Sequence, residues 1–168
     1  NHPQFRGRAG ALSTRWRSEF PLSGRDLAPG GRARYSTAAA VMDLSVVLPI
    51  FNERENLEQL FDEIDKALAP SGLDYEIIAV DDGSRDGSRK WLRERASAQG
   101  RIRLVAFRRN CGQAAAFDAG FRHARGRIVA TLDADLQNDP ADIPKLIAML
   151  EKDELDVVTG WRADRKDG

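Results

Sequence analysis

From residue 42 onward the chain alternates short apolar runs with helical patterns, and this alternation limits its fold more than any other feature. Val46, Val47, Leu48 and Ile50 make a continuous apolar run that closes at Pro49 to Asn52, the pattern of a strand buried on both faces. A helix follows, with Leu57, Leu60, Phe61, Ile64 and Leu68 at helical spacing, Asn52 as its expected cap and Glu55 as the returning acid. Pro70, Ser71 and Gly72 stop it, and Tyr75 to Val80 reads as a second strand ending at Asp81 and Asp82. The period then repeats: helix 88–98, strand 102–107, helix 113–124, strand 128–132. Asp139 caps the next helix with Pro140 at its first position, Ile143, Leu146, Ile147 and Leu150 give its inner face, and Val157 and Val158 begin a fifth strand.

Such alternation predicts an α/β domain, a mostly parallel Rossmann-like sheet with right-handed crossovers and helices on both faces. Sheets of this kind bind ligands beyond the carboxyl ends of their strands. Polar residues gather at those ends: Asn52 and Glu53, Asp81 and Asp82, Arg108 to Asn110, then Asp133 and Asp135. Four loops separated in sequence are thus expected to meet at one crevice.

The domain is expected to span residues 42–168. Residues 1–41 hold seven Arg and no Lys against Glu19 and Asp26, a net of +5, so the remainder of this neutral chain carries −5. This leader, rich in Arg, Gly, Ser and Ala with Pro3, Pro21 and Pro29, is expected to be disordered. A transit peptide, a cloning remnant and translated sequence upstream of the true start compete for it, and Met42, directly before a strand pattern, favours the last. The basic part lacks aromatic interleaving and helical periodicity and the rest is acidic, so no nucleic-acid partner is expected. Cys111 is the single cysteine, which excludes an internal disulfide. The apolar runs 45–51 and 77–80 are far short of the roughly 18 residues of a membrane span.

Asp133-Ala134-Asp135 follows the fourth apolar strand directly. Two carboxylates one residue apart on extended backbone point the same way and can face one hard cation, Mg²⁺ or Mn²⁺, bridging protein to a diphosphate, with Gln137 adding a neutral oxygen. A solvated acidic turn capping the next helix is the plain alternative, but Asp139 already supplies that cap. Asp81 and Asp82 enter a Gly83-Ser84 turn. Either they serve an Asx turn, or a carboxylate there accepts the imide of uracil or the amide edge of guanine, the role given to Asp81. Arg108, Arg109 and Gln113 flank Asn110-Cys111-Gly112, a loop opening a helix whose amides can receive negative charge. Cations facing phosphates and a solvated Arg pair remain the two readings. Cys111 reads as a small loop residue and His123 as part of a solvated face.

Five blocks in order, 48–53, 80–84, 109–113 through Gly120, 133–137 and 159–162, resemble the family 2 glycosyltransferases of GT-A fold, within them the polyprenyl-phosphate sugar transferases. The resemblance covers residues 43 to about 167. It implies that Pro49, Phe51, Glu53 and Asp81, with Asp82 beside it, line the nucleoside pocket, that Asp133, Asp135 and Gln137 hold the metal, and that Arg109 and Gln113 face the donor. Arg162 and Arg165 would approach the diphosphate or the acceptor phosphate. Phe51 stands where many members carry Tyr. The implied reaction is inverting, from a UDP- or GDP-linked sugar to a polyprenyl phosphate, with the UDP-sugar favoured. An ionised acceptor phosphate requires no general base.

Family members continue into an acceptor-binding segment, an interfacial helix and often membrane spans, so the enzyme is expected at the cytoplasmic face of a membrane. The present chain is expected to be its N-terminal part, binding donor poorly and turning over little; self-association is left open. An inactive nucleotide-binding module is the alternative outside enzymology. A nucleotidyltransferase leans on glycine- and lysine-rich phosphate loops near its first strand, where Lys is missing here. A phosphatase of the haloacid dehalogenase type places its acidic pair on the first strand, not the fourth.

Overall fold

The computed structural model describes residues 42–160 and the backbone pairing of residues 12–15. Trp161, Arg162 and Arg165 lie outside the described residues. Six strands and four helices are described: β1 (Leu12–Arg15), β2 (Leu44–Ile50), α1 (Leu57–Leu68), β3 (Tyr75–Asp81), α2 (Ser88–Ala98), β4 (Ile102–Ala106), α3 (Gln113–His123), β5 (Ile128–Thr131), α4 (Ile143–Lys152) and β6 (Val157–Thr159). The sheet order is β4-β3-β2-β5-β1-β6. Strands β4, β3, β2 and β5 run parallel, as the alternation predicts.

Every residue of β2 and β3 is buried, which is why both strands read as mostly apolar runs, interrupted only by Ser45, Glu76 and Asp81. Their side chains divide by the two-residue period between two cores. Leu44, Val46, Leu48 and Ile50 pack with Leu57, Leu60, Phe61 and Ile64 of α1, Leu92 of α2, and Ile143, Leu146 and Leu150 of α4. Val47, Ile78 and Val80 face the opposite way, onto Ala116 and Phe117 of α3. Gly120 lets α3 approach the sheet, since a Cβ there would lie 2.3 Å from Val47 Cγ1. Helices therefore cover both faces.

Two local expectations are corrected. Leu12–Arg15 is a strand, antiparallel to both β5 and β6 and lying between them, although residues 1–41 read as disordered. A sheet edge presents a row of unpaired N–H and C=O groups, and an extended segment of almost any composition can satisfy them. Asn52 does not cap α1. It adopts left-handed backbone (φ 58), turns the chain away from the sheet, and the helix begins at Leu57 with Asn56 before it. The expected cap at Asp139 holds, its carboxylate accepting the Ala141 N–H at 2.9 Å ahead of a 3-10 turn at Pro140–Asp142 that leads into α4.

At the amino ends of the strands, Glu76 is fully buried. It accepts Ser45 Oγ at 2.8 Å, the Arg125 backbone N–H at 2.9 Å and Arg125 Nη2 at 2.8 Å. Burial raises its carboxyl pKa, but the Arg125 and Ser45 hydrogen bonds outweigh that and hold it below its ordinary value. This group fastens the α3–β5 connection beneath β2 and β3, leaving the carboxyl ends to carry the site.

Candidate active site

The loops after β2, β3, β4 and β5 are stitched together by side-chain contacts. The Asn52 N–H donates to Ser84 Oγ at 3.0 Å, and the Arg85 N–H returns to Asn52 Oδ1 at 2.8 Å. The Glu53 N–H donates to Ser88 Oγ at 3.2 Å, and the Arg54 N–H to Asp86 Oδ2 at 2.9 Å. Burial works to raise the Asp86 pKa, but the Ser88 hydroxyl and the amides of Arg54 and Ser88 lower it on balance. These links hold Phe51 at the rim as an exposed aromatic face, while Pro49 is buried within β2. Glu53 is half-buried and accepts Asn56 Nδ2 at 2.7 Å, so its carboxylate also steadies the start of α1.

Asp81 and Asp82 are both engaged by neighbouring loops. Asp81 is fully buried; its Oδ1 accepts the Ser84 N–H at 3.0 Å and its Oδ2 takes Arg89 Nε at 2.5 Å. Arg89 continues to the Phe107 carbonyl, joining the ends of β3 and β4. A base would have to compete with both partners for this carboxylate, and the turn-forming alternative describes its contacts. Asp82 accepts the Cys111 N–H at 2.6 Å and the Gly112 N–H at 2.9 Å. The amides offered above to a phosphate at the start of α3 are therefore taken by the protein's own carboxylate. Beside them, a Cβ on Gly83 (φ 80) would sit 2.4 Å from the Arg109 carbonyl carbon, so only glycine allows the two loops to touch.

Above this clamp stand the cations. Arg108 and Arg109 are exposed, and neither guanidinium is ion-paired among the described residues. Cys111 is exposed too. Gln113, the first residue of α3, donates from Nε2 to Asp133 Oδ1 at 2.7 Å, which brings the β4 loop and the β5 loop into contact.

Strand β5 ends at Thr131, so Asp133 and Asp135 lie on the following loop rather than on the strand itself. Ala134 between them is buried while Asp133 is half-buried and Asp135 exposed, an alternation that sends both carboxylates away from the core. Leu136 is left-handed (φ 61), a conformation that costs a branched apolar residue energy, and the Gln137 N–H closes the turn on Asp135 Oδ1 at 3.0 Å. No group of three or more His, Cys, Asp or Glu side chains clusters as a metal site among the described residues. Mg²⁺ and Mn²⁺ keep several waters and are commonly held by one or two carboxylates plus substrate phosphates. Two carboxylates and the Gln137 amide are a donor set of the kind such an ion accepts.

The Glycosyl transferase family 2 model matches residues 45–168. The chain belongs to that family. It is 45% identical over 128 residues to the dodecaprenyl-phosphate galacturonate synthase of Rhizobium johnstonii, covering 76% of this chain and 38% of that protein. It is 44% identical over 132 residues to the undecaprenyl-phosphate 4-deoxy-4-formamido-L-arabinose transferase of Klebsiella pneumoniae, covering 78% and 40%. The chain thus spans about two fifths of the length of these relatives. Among solved structures it is similar to a Pyrobaculum calidifontis mannosyltransferase in complex with GDP-Man and Mn²⁺ (TM-score 0.56, 29% identity, 64% of this chain and 32% of that one). Glucosyl-3-phosphoglycerate synthase from Mycobacterium tuberculosis, with Mn²⁺ and UDP, is similar at TM-score 0.51 and 28% identity, covering 66% and 40%. The expected GT-A fold holds for the part of the family domain that these residues form.

Arg89, Ser88 and Asn138 join the site without a role expected from sequence, with Ser84 expected only as part of a turn. Arg89 had a signal: a cation in the first turn of α2 opposes the helix dipole, which calls for a specific partner such as Asp81. Asn138 had none. It is buried, and neither amide atom has a partner among the described residues, immediately after the acidic loop.

Proposed function

We propose that this chain forms the donor-binding part of an inverting, divalent-metal-dependent glycosyltransferase that moves a sugar from a nucleoside diphosphate to a polyprenyl phosphate. The observation that carries the reading is the contact of Gln113 with Asp133, which sets the exposed Arg108 and Arg109 loop beside an acidic loop at one sheet edge. An anion facing the arginines and a cation facing the carboxylates fit a metal diphosphate better than either alone. The names of the relatives, both polyprenyl-phosphate transferases or synthases, supply the acceptor class.

In this reading Asp133, Asp135 and Gln137 would hold Mg²⁺ or Mn²⁺, whose charge would offset that of a departing nucleoside diphosphate. Arg109 draws the diphosphate over the start of α3, and Phe51 offers its exposed ring to the base or ribose. Asp82 and Gly83 keep the arginine loop in place; Pro49, Glu53 and Asp81 shape the pocket floor and its turns. Arg162 is assigned to phosphate contact by the family resemblance alone. An acceptor phosphate oxygen, already ionised, attacks the anomeric carbon from the face opposite the leaving group, and no side chain is needed to deprotonate it. The favoured donor is a UDP-sugar. The acceptor lies in a bilayer, so the active protein works at its cytoplasmic surface.

Titration calorimetry with UDP and with GDP, each with and without Mn²⁺, tests the donor half. Binding that Mn²⁺ strengthens, with that gain lost in Asp133→Asn and Asp135→Asn, supports it; binding indifferent to metal and to both substitutions overturns it. The span of about two fifths of the relatives favours a second reading, nucleotide binding without transfer. A filter assay of sugar transfer to a polyprenyl phosphate separates the two.

A further inference from the structure

Gln113 carries the nearest thing to a mechanical link in the site, and its geometry differs from that of a phosphate ligand. Its Nε2 is committed to Asp133 Oδ1 at 2.7 Å, while its own backbone follows directly on the two amides that Asp82 holds. Asp82 is itself fixed at the end of β3, next to Gly83, whose lack of a Cβ lets the Arg109 and Asn110 backbone close on it. A continuous path of short contacts therefore runs from the end of β3, through residues 111–113, to the acidic loop after β5. At its far end Leu136 is left-handed and Asp135 is tied to Gln137, so that loop has little freedom of its own.

We infer that Gln113 is a positioning residue: it orients Asp133 for a divalent cation and ties the arginine loop to the acidic loop that would hold that cation. The inference rests on the metal reading proposed above. An amide N–H donated to a metal-binding carboxylate fixes which way its lone pairs face, and loss of such outer partners costs about 10- to 100-fold in metal affinity. The donor is essential and not merely the length of the side chain. A glutamate at this position reaches equally far but repels Asp133 until a cation lies between the two carboxylates.

The test uses the whole chain and two variants, Gln113→Ala and Gln113→Glu. Mn²⁺ alone is titrated by electron paramagnetic resonance, UDP is titrated without metal, and hydrogen exchange is followed across residues 108–113. Gln113→Ala is expected to bind Mn²⁺ about 10-fold more weakly or worse, with metal-free UDP binding unchanged. In Gln113→Glu, exchange at 108–113 is expected to rise without metal and to return to the wild-type level with Mn²⁺, a reversal that a purely structural role would not produce. Equal Mn²⁺ affinity in wild type and Gln113→Ala, or loss of metal-free UDP binding in that variant, overturns the assignment and makes Gln113 a phosphate ligand or a bystander. A wild-type chain that fails to bind Mn²⁺ at all overturns instead the metal reading on which it rests.

Discussion

The Asp82 carboxylate lies 2.9 Å from the Gly112 amide, so the end of one strand holds the first turn of a helix that sits on the far side of the sheet. Hydrogen bonds to a charged acceptor contribute about 1.5–3 kcal/mol each, and this carboxylate also receives the Cys111 N–H. Asp82→Asn keeps the shape, removes the charge and turns one acceptor into a donor facing an N–H. The substitution is expected to destabilise the chain by about 2–3 kcal/mol in urea unfolding, with the largest loss of hydrogen-exchange protection at residues 108–113. Protection lost evenly over the whole sheet, or not at all, would show that Asp82 has no special hold on this loop.

Glu76 makes the stability of the fold acid-sensitive. Its folded pKa is depressed below the ordinary value of 4.5, so the stabilisation it gives is fully present above that value and is lost as pH falls through the folded pKa. Unfolding free energy is thus expected to decline as pH is lowered below about 4.5, and Glu76→Gln is expected to flatten that decline while costing about 2–3 kcal/mol at neutral pH. Chemical denaturation at a series of pH values measures both effects. An unchanged acid slope in the variant would assign the sensitivity to other carboxylates, Asp86 foremost, whose pKa is also lowered.

Which parts of this architecture the sequence displays follows from the physics of each part. Strands β2 and β3 are buried on both faces, and burial on both faces demands an apolar residue at nearly every position, so Val46 to Leu48 and Ile77 to Val80 are visible in any window. The strong one-sided face of α1 is equally plain. The Gly83 turn is legible because backbone geometry narrows the residue types allowed there, and the acidic pair Asp133 and Asp135 stands out directly after an apolar strand. What a single chain of letters does not carry is which partner each side chain meets. Asp81 and Asp82 look alike as neighbours, yet Asp81, the last residue of β3, faces Arg89, and Asp82, just past the strand, faces the Cys111 and Gly112 amides. The pairing of Leu12–Arg15 with β5 and β6 is invisible for a related reason, since a segment is recruited into a sheet through backbone groups that every residue shares.

Gly83 and Gly120 are among the glycines where a methyl group has no room, and the two separate fold from function. A Cβ on Gly120 would meet Val47 Cγ1 at 2.3 Å, a side-chain atom, whereas a Cβ on Gly83 would meet backbone of Arg109 and Asn110 at 2.4 and 2.5 Å with φ at 80. Gly120→Ala is therefore expected to cost about 1–3 kcal/mol, and Val47→Ala in the same chain to recover part of it, because removing Val47 Cγ1 reopens the space. Gly83→Ala has no such partner to trim: it must adopt a strained backbone and push the arginine loop outward, with an expected cost of about 3 kcal/mol or more. Nucleotide binding divides the two further. The Gly120 variant, once folded, is expected to bind UDP with Mn²⁺ as the wild type does, whereas the Gly83 variant is expected to lose it, since the loop bearing Arg108 and Arg109 has been moved off the site. Double-mutant unfolding and calorimetry on the same preparations read both quantities. Equal loss of UDP binding in the two variants would mean that the site responds to the stability of the whole domain rather than to the contact between these loops.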